Sequence, residues 1–311
     1  MNRVAVIGAG AWGTALAAQA HRAGAAVTLW ARDPARAGQR LPGALSSGVT
    51  VTADLPGDGF DAILLVIPVQ HLREVASRLR PRAPVVVCAK GIEAGSLALP
   101  LEIVAELHPG VPGAVLTGPN FAHEIAAGLP AASVVAAVDD ALRTRLMALL
   151  ASPAFRLYGN EDPVGAQLGG AAKNVIAIAA GAVMGAGLGE NARAALVTRG
   201  LAELGRFVTA LGGRAETVHG LSGLGDLLLT CTGGSSRNYR CGFALGRGER
   251  LEAIVRNSAG VIEGIATAPA LLARAREVEL PICAAVAALL EGRLTVEAAI
   301  ATLLTRPMRD E

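Results

Sequence analysis

Two lysines are the side chains of this sequence that arginine would replace least well. Of its 28 basic residues 26 are Arg, and only Lys90 and Lys173 are Lys. A guanidinium stays protonated, whereas the pKa of an amine can move, so a lysine kept among so many arginines is a candidate for proton transfer. Lys90 closes the apolar run 85–89, and Lys173 lies in the apolar helical stretch 167–175, where an ammonium needs a partner or a lowered pKa. Chance survival of two lysines, or a buried ion pair for Lys173, is the alternative.

Asp226 and the segment after it supply groups that would complete a site for a phosphorylated substrate. Asp226 follows a Gly-rich run, and residues 232–238 offer hydroxyl, guanidinium and amide donors within seven positions. Such donors suit a phosphate. The alternatives are that Asp226 only caps the N-terminus of a helix and that residues 232–238 form a polar loop without a ligand. The two lysines and Arg237 carry three positive charges, Asp226 removes one, and a phosphate ester dianion removes about two. The occupied site would be nearly neutral.

A Gly-rich turn near the start of the chain predicts a dinucleotide site. Gly8, Gly10 and Gly13 of the sequence GAGAWG lie between a predicted strand and a predicted helix. In this spacing the first glycine permits a tight turn, the second lets backbone approach a pyrophosphate, and the third lets helix and strand pack closely. The helix N-terminus then offers its N–H groups to the phosphates. In this context we favour dinucleotide binding over a plain turn.

The end of the second predicted strand bears on the choice between NAD and NADP. An acid about 20 residues after the third glycine would hold the ribose hydroxyls of NAD. Here the strand ends in Trp30-Ala31-Arg32-Asp33, so the first polar residue is Arg32, which suits a 2′-phosphate. We therefore expect NADP to be accepted and leave NAD open; a solvated charge pair is the alternative.

These residues need an α/β architecture to bring them together. Six apolar runs, continuous rather than alternating, indicate a parallel sheet covered on both faces. The runs span residues 3–8, 26–31, 61–67, 84–88, 114–117 and 132–138. Helical patterns lie between them, at residues 14–23, 70–79, 99–107 and 140–150. The alternation predicts a doubly wound Rossmann-type sheet, whose ligands bind outside the carboxyl ends of the strands.

A second, mainly α-helical domain is expected after the sheet. Long Ala-, Leu- and Gly-rich helical patterns run from residue 161 to residue 304. Residues 159–163 break both periodicities, so we divide the chain into a dinucleotide-binding domain, 1–160, and a helical substrate domain, 161–311. The uncharged run 174–189 is shorter than the roughly 20 residues that a membrane span needs. Its glycines at 181, 185 and 189 instead predict a close helix crossing.

Composition narrows the remaining classes of function. The net charge is +2 and aromatic residues make up 3 % of the chain, so nucleic acid is not an expected partner. The four cysteines form no C-x-x-C pair and no metal-spaced cluster with histidine. The first twenty residues imitate a secretion signal, but the spaced glycines within them have the better explanation given above. We therefore expect a reduced, metal-free cytoplasmic protein without a membrane span.

Taken in order, these motifs resemble the bacterial-type NAD(P)-dependent glycerol-3-phosphate dehydrogenases nearly from end to end. The matching segments are GAGAWGTALA (8–17), AKG (89–91), TGPNFA (117–122), GGAAKNV (169–175), GLSGLGDLLLTCT (220–232), SRN (236–238) and VIEG (261–264). The resemblance implies reversible hydride transfer between NAD(P)(H) and C2 of glycerol 3-phosphate or dihydroxyacetone phosphate. It further implies a supply of glycerol 3-phosphate for phospholipid synthesis.

The resemblance also assigns roles to single residues. Lys173 matches the family's catalytic proton acceptor. The implied substrate contacts are Lys90, Gly118, Asn120, Lys173, Asp226, Ser236, Arg237 and Asn238. The implied cofactor contacts are Gly8, Gly10, Ala11, Trp12, Gly13, Arg32, Lys90, Ala122, Arg237, Val261 and Glu263. Asn120 replaces the usual Ser or Thr, which keeps hydrogen-bonding groups but alters the geometry near the substrate. Met184 and Leu188 replace an Asp and a Phe, which affects packing more than chemistry.

Two other functions stay open on the sequence alone. A β-hydroxyacid or 6-phosphogluconate-type dehydrogenase shares the fold and a Lys-Asn pair on a helix, but it needs a carboxylate-binding pattern that residues 236–238 do not suggest. A nicotinamide-nucleotide sensor without turnover would not need both lysines. The sequence leaves the oligomeric state open, with a homodimer as one option.

Overall fold

One eight-stranded sheet occupies the first half of the molecule; the computed structural model describes residues 1–41 and 48–304. The strands are β1 Arg3–Ile7, β2 Ala26–Trp30, β3 Val49–Thr52, β4 Ala62–Leu65, β5 Val85–Val87, β6 Gly113–Thr117, β7 Ala131–Ala136 and β8 Phe155–Asn160. They lie in the order β3-β2-β1-β4-β5-β6-β7-β8. The chain reverses direction across the sheet between β1 and β4, which is where doubly wound sheets bind their ligands.

The predicted Rossmann-type sheet is confirmed, because six strands coincide with the six apolar runs. Their residues are buried on both faces of the sheet, as the continuous patterns indicated. The helices that cover the sheet are α1 Ala11–Arg22, α2 Pro34–Gly38, α3 Val69–Ala76, α4 Pro100–Leu107, α5 Ala122–Ala127 and α6 Asp140–Leu150. Four of them, α1, α3, α4 and α6, match the predicted helical patterns.

Three features of the sheet differ from the prediction. Strands β3 (VTVT) and β8 (FRLYGN) form its two edges, and their alternating or polar sequences carry no continuous apolar run. Strand β7 pairs antiparallel with β6, whereas all other neighbours are parallel. The only helix between β6 and β7 is α5, whose six residues span about 9 Å, too little to return the chain along the whole sheet.

The part that follows the sheet is helical, as expected. Its elements are α7 Pro163–Gly185, α8 Gly189–Ala210, α9 Ala215–His219, a π turn Leu221–Gly225, α10 Asp226–Cys231, α11 Arg237–Gly246, α12 Leu251–Arg256, α13 Glu263–Ala275, α14 Pro281–Leu290 and α15 Val296–Leu304. Strand β8 ends three residues before α7 begins, beside the expected boundary at 160, and the division into two domains stays a prediction. The end of the second predicted domain, 305–311, lies outside the described residues.

Helix α7 is the centre of the helical core. It is long and apolar enough to cross a membrane by length and composition, and 89 % of its most apolar window is buried inside the protein. The packing of α8, α10, α11, α13 and α14 against it accounts for that apolar surface.

Glycines bring α7 and α11 into backbone contact. A Cβ on Gly181 or Gly185 would overlap the backbone of α11, and a Cβ on Gly242 would overlap the carbonyl oxygen of Ile178 in α7. The predicted close crossing is therefore present for the first two glycines of the stripe. Gly189 lies outside it, because it begins α8 with a positive φ of 86°. This crossing places residues 237 and 238, at the start of α11, beside the middle of α7.

The crossing predicts a stability difference between two glycine substitutions. Gly242→Ala forces a methyl group into the α7 backbone, which we expect to destabilise the protein by about 1–3 kcal/mol. Gly205→Ala in α8 is the matched control, because no atom lies within 4 Å of its added Cβ and alanine favours a helix by roughly 0.5–1 kcal/mol. Thermal unfolding of the two variants checks the prediction, and equal unfolding temperatures would contradict it.

Candidate active site

One buried carboxylate holds both lysines of the chain. The Asp226 side chain is fully buried; its Oδ1 accepts a hydrogen bond from Lys173 Nζ at 2.5 Å, and its Oδ2 accepts one from Lys90 Nζ. Lys90 Nζ also donates to the carbonyl oxygen of Gly118 at 3.1 Å. The three charged groups thus lie together in the interior with a net charge of +1, an arrangement that favours an anionic ligand.

Three separate elements deliver these groups. Lys90 follows β5 at the carboxyl end of the sheet, Lys173 lies near the middle of α7, and Asp226 is the first residue of α10. The π turn before Asp226 depends on its glycines, since a Cβ on Gly223 would overlap the backbone of Val218. The Gly-rich run therefore serves the geometry of the turn, and Asp226 pairs with two lysines rather than capping a helix with its side chain.

The environment of Lys173 prepares its amine for proton transfer. Burial lowers the pKa of Lys173 from its usual 10.5 to about 8; the charge of Asp226 opposes this shift and the charge of Lys90 adds to it. Only 8 % of the Lys173 surface is exposed. At neutral pH the amine is mostly protonated, and slightly above neutrality a substantial fraction becomes a base.

Two polar residues of this site were not singled out from the sequence. Thr230 Oγ1 accepts a hydrogen bond from Lys173 Nζ at 2.9 Å and donates one to the backbone oxygen of Asp226 at 2.6 Å. Asn174 Oδ1 accepts a hydrogen bond from Asn238 Nδ2 at 2.9 Å. The signal for Thr230 was available, because it follows Asp226 by four residues and therefore shares a helix face with it.

The predicted phosphate segment begins α11, next to the lysine site. Ser236 Oγ caps the helix by accepting from the Tyr239 N–H, and Asn238 Oδ1 accepts from the Gly264 N–H at 2.9 Å. Arg237 is exposed, and its guanidinium lies against Gly260, so it faces the loop before α13. Ser236 and Asn238 thus help to build the fold around this corner, while Arg237 leaves its charge available.

Buried polar atoms without partners lie on the segments around the lysines. Among the described residues these include Thr117 Oγ1, Asn120 Oδ1 and Ser222 Oγ. Asn120 Nδ2 donates to Ser133 Oγ at 2.6 Å, so this departure from the family pattern fastens the end of β6 to β7. Gly118 has a φ of 144° and packs on the Ser133 backbone, a conformation that requires glycine. Orphaned acceptors and hydroxyls of this kind suit a polar ligand.

The Gly-rich turn has the shape that a dinucleotide requires. Gly8 has a φ of 114°, and a Cβ on it or on Gly13 would overlap neighbouring backbone, whereas nothing lies within 4 Å of a Cβ on Gly10. That open position and Ala11, which begins α1, leave the helix N-terminus accessible, and Trp12 packs beneath it. The residues therefore fit a pyrophosphate.

A cleft of about 400 Å³ continues from this turn. Its lining includes Gly8, Gly10, Arg32, Ile67, Pro68 and Val261. Arg32 is one of four arginines in the lining, with Arg36, Arg40 and Arg78, against two acidic residues, Asp33 and Glu74. The Asp33 carboxylate accepts from the Arg36 N–H at 3.1 Å, so it caps α2. This end of the cleft is therefore positively charged.

The helical part closes the other side of the cleft. Val261 is half exposed in the lining, and Glu263 begins α13. Burial raises the pKa of Glu263 to about 7, and the charge of Arg237 acts in the opposite direction. Ala122 begins α5, which packs against α1. Of the predicted cofactor residues, Gly8, Gly10, Arg32 and Val261 line the cleft, and Lys90 lies in the lysine site. The described residues contain no group of three or more His, Cys, Asp or Glu side chains arranged to hold a metal ion.

Comparison with known proteins finds two family models that together match most of the chain. The N-terminal family model of NAD-dependent glycerol-3-phosphate dehydrogenase matches residues 3–143, and the C-terminal model matches residues 162–301. The chain is 58 % identical over 319 residues to a glycerol-3-phosphate dehydrogenase (NAD(P)+) of Acidiphilium cryptum, covering 99 % of this chain and 98 % of that protein. It is 53 % identical over 315 residues to the enzyme of that name from Gluconobacter oxydans, covering 98 % and 97 %.

The fold is also similar to that of a solved structure along nearly the whole chain. A crystal structure of glycerol-3-phosphate dehydrogenase from Coxiella burnetii superimposes with a TM-score of 0.92 and 37 % sequence identity. The superposition covers 98 % of this chain and 99 % of that one. Both the sheet and the helical part are therefore similar to those of this relative.

Proposed function

Because the chain belongs to the NAD-dependent glycerol-3-phosphate dehydrogenase family, we propose that it interconverts glycerol 3-phosphate and dihydroxyacetone phosphate at the carboxylate shared by its two lysines. The chain is an NAD(P)-dependent oxidoreductase. The observation that supports this location is the pair of amines on Asp226, at the carboxyl ends of the strands beside the dinucleotide cleft.

Lys173 is the group that moves the proton. In oxidation its neutral amine takes the hydroxyl proton as the hydride leaves C2, and in reduction its ammonium returns the proton to the carbonyl oxygen. When bound, the nicotinamide supplies the hydride acceptor or donor. Asp226 and Thr230 fix the position of Nζ, and Lys90 provides a second positive charge near the oxygen that becomes the alkoxide.

Arg237 supplies the charge for the substrate phosphate. It stands exposed at the start of α11, whose position beside Lys173 is set by the glycine crossing and by the bond from Asn238 to Asn174. The two lysines, Asp226 and Arg237 together carry a charge of +2, which a phosphate dianion of about −2 balances. Binding of the remote phosphate then orients C2 for hydride transfer.

The arginines of the cleft support acceptance of NADP. Asp33, the acid behind the second strand, caps α2 with its carboxylate, while Arg32 stays exposed beside it. A 2′-phosphate is therefore matched by nearby positive charge. The enzymes to which the chain is similar carry both cofactors in their names.

The family match disfavours the two other functions that the sequence left open. A β-hydroxyacid or 6-phosphogluconate-type dehydrogenase does not account for matches that cover residues 3–143 and 162–301. A sensor without turnover would have no use for an amine with a lowered pKa. Supply of glycerol 3-phosphate to phospholipid synthesis, a cytoplasmic location and a homodimer stay predictions from the resemblance.

Replacement of Lys173 tests the proton-transfer role. Lys173→Arg keeps the positive charge but removes the titratable amine, so we expect turnover to fall by about 10²- to 10⁴-fold while NADPH still binds. In the unmodified enzyme, oxidation should increase as pH rises through about 8, because Lys173 becomes neutral there, and reduction should decrease. NADPH absorbance at 340 nm measures both directions. Near-normal turnover of the variant, or rates independent of pH between 7 and 9, would exclude Lys173 as the base.

Replacement of Arg237 tests phosphate recognition. Arg237→Ala should lower kcat/KM for dihydroxyacetone phosphate by about 10- to 100-fold, since a charge-assisted hydrogen bond contributes about 1.5–3 kcal/mol. Turnover of unphosphorylated dihydroxyacetone should change much less. Arg247→Ala at the other end of α11 is the control. Equal proportional losses on both substrates would count against a phosphate contact.

Replacement of Arg32 tests the cofactor preference. Arg32→Ala should raise KM for NADPH by about 10-fold or more, through the loss of a charge-assisted contact, and leave KM for NADH within about 2-fold. Arg82→Ala, which removes an exposed arginine outside the cleft, is the control. An unchanged ratio of the two KM values would assign the preference elsewhere.

A further inference from the structure

The segment that follows Lys90 is tied down by side chains from both parts of the molecule. Residues 91–99, here called the strap, connect β5 to the start of α4. Although the strap belongs to the sheet part in sequence, Ile92 and Leu99 are fully buried in the core of the helical part. The strap is therefore a second crossing between the two parts, in addition to the chain connection near residue 161.

Helix α3 holds the first half of the strap. Gln70 Nε2 donates to the Ile92 carbonyl, and Gln70 Oε1 accepts from the Ala94 N–H, both at 2.9 Å. One turn later, Arg73 donates three hydrogen bonds of 2.9–3.1 Å to the Glu93 carboxylate. Glu93 is only 9 % exposed, and Ser96 also donates to it. With these donors, the Glu93 carboxylate is held in place against α3.

Helix α13 holds the second half. Arg274 donates to the Leu97 carbonyl at 2.5 Å and makes a two-pronged contact of 2.6–2.8 Å with Glu102 in α4. Glu102 accepts in turn from the Leu99 N–H at 2.7 Å. Leu97 has a φ of 61°, a left-handed conformation that a leucine adopts only where its surroundings impose it.

The strap reaches the lysine site through Gly91. This residue has a φ of 151°, and a Cβ on it would lie 2.9 Å from Val69 in α3 and 3.2 Å from Thr267 in α13. The backbone directly after Lys90 is thus enclosed by the same two helices that hold the rest of the strap. A displacement of the strap would therefore be passed on to Lys90, because the residue between them is not free to rotate.

We propose that Glu93 and Arg274 are positioning residues that hold the strap between α3 and α13 and so keep Lys90 Nζ on Asp226. This inference rests on the proposed function, because it assigns Lys90 a role beside Lys173. Neither residue touches the substrate or the proton; each acts through the backbone next to Lys90. Displacement of about 1 Å at a reacting group is enough to lower a rate by about 100-fold.

The pH dependence separates positioning from a merely structural role. The charged and titratable groups that act on Lys173 are Lys90, Asp226 and Cys231. If Lys90 withdraws, its repulsion disappears and Asp226 is left to Lys173 alone, and both changes raise the pKa of Lys173. Oxidation, which needs the neutral amine, then moves to higher pH. A loss of stability alone would lower the unfolding temperature without moving the pH profile.

The experiment compares Glu93→Ala, Glu93→Gln and Arg274→Ala with the unmodified enzyme, using dihydroxyacetone phosphate with NADPH and glycerol 3-phosphate with NADP. We expect Glu93→Ala and Arg274→Ala to lower kcat by about 10- to 100-fold with KM for NADPH within about 2-fold. Their loss in oxidation should be several-fold greater at pH 7.5 than at pH 9.5. Glu93→Gln, which keeps an oxygen acceptor for Arg73, should recover part of the rate. Arg293→Ala removes an exposed ion pair outside the strap and is the control.

Hydrogen exchange of the peptide that covers residues 91–99 gives a readout independent of turnover. Faster exchange there with kcat within about 2-fold of the unmodified enzyme would overturn the inference, and so would a lower kcat with an unmoved pH profile. If Glu93→Ala does not fold, Arg274→Ala carries the test, since the side chain of Arg274 is more exposed than that of Glu93. Absence of turnover in the unmodified enzyme would refute the proposed function instead, and the exchange data would still report whether Glu93 and Arg274 hold the strap.

Discussion

The interaction on which the rest of this structure depends is the buried carboxylate of Asp226 shared by two amines, of which Lys173 is buried and Lys90 partly exposed. Removing three charged groups from water is unfavourable by several kcal/mol per ion, and the structure tolerates it only because each ammonium has a carboxylate oxygen and a further acceptor within hydrogen-bond distance. Two positive charges around one negative charge leave an excess of +1 in a region with little water. That excess favours an anionic substrate. Burial lowers the pKa of Lys173 to about 8 although a carboxylate is adjacent, and the charge of Lys90 adds to that shift.

The shared carboxylate also explains features of the fold that lie far apart in the sequence. The two amines come from the end of a strand and the middle of α7, and their carboxylate comes from α10. These elements can converge only if α10 lies very close to α7. A glycine provides that closeness, because a Cβ on Gly169 in α7 would lie 2.9 Å from the Ser222 oxygen in the π turn before α10, and Gly181 and Gly242 do the same for the crossing of α7 with α11. The high glycine content of the chain thus has a purpose beyond the dinucleotide turn.

How much of this could be predicted from the sequence depends on whether a feature is local. Continuous apolar runs located six strands correctly, because a strand buried on both faces shows its burial in its own residues; the edge strands β3 and β8 do not. The two lysines were identified from composition, and in the structure both donate hydrogen bonds to the carboxylate of Asp226. Thr230 was missed although it lies only four residues after Asp226. The strap was missed for a different reason, because its partners are distant in the sequence: Arg274 lies 177 positions after Leu97.

The need for an amine whose pKa can move explains why an otherwise arginine-rich chain has lysine at positions 90 and 173. Arginine supplies the permanent positive charges in the cleft, in the phosphate segment and at the two ends of the strap, where Arg73 and Arg274 bind carboxylates. A guanidinium at position 173 could also pair with Asp226, but it would stay protonated at physiological pH. Burial alone shifts the amine towards its neutral form, and Lys90 adds a second positive charge that opposes its protonation. Lys90 thus contributes to the lowered pKa of Lys173, although burial is the larger cause, and the backbone directly after Lys90 is enclosed by α3 and α13 at Gly91.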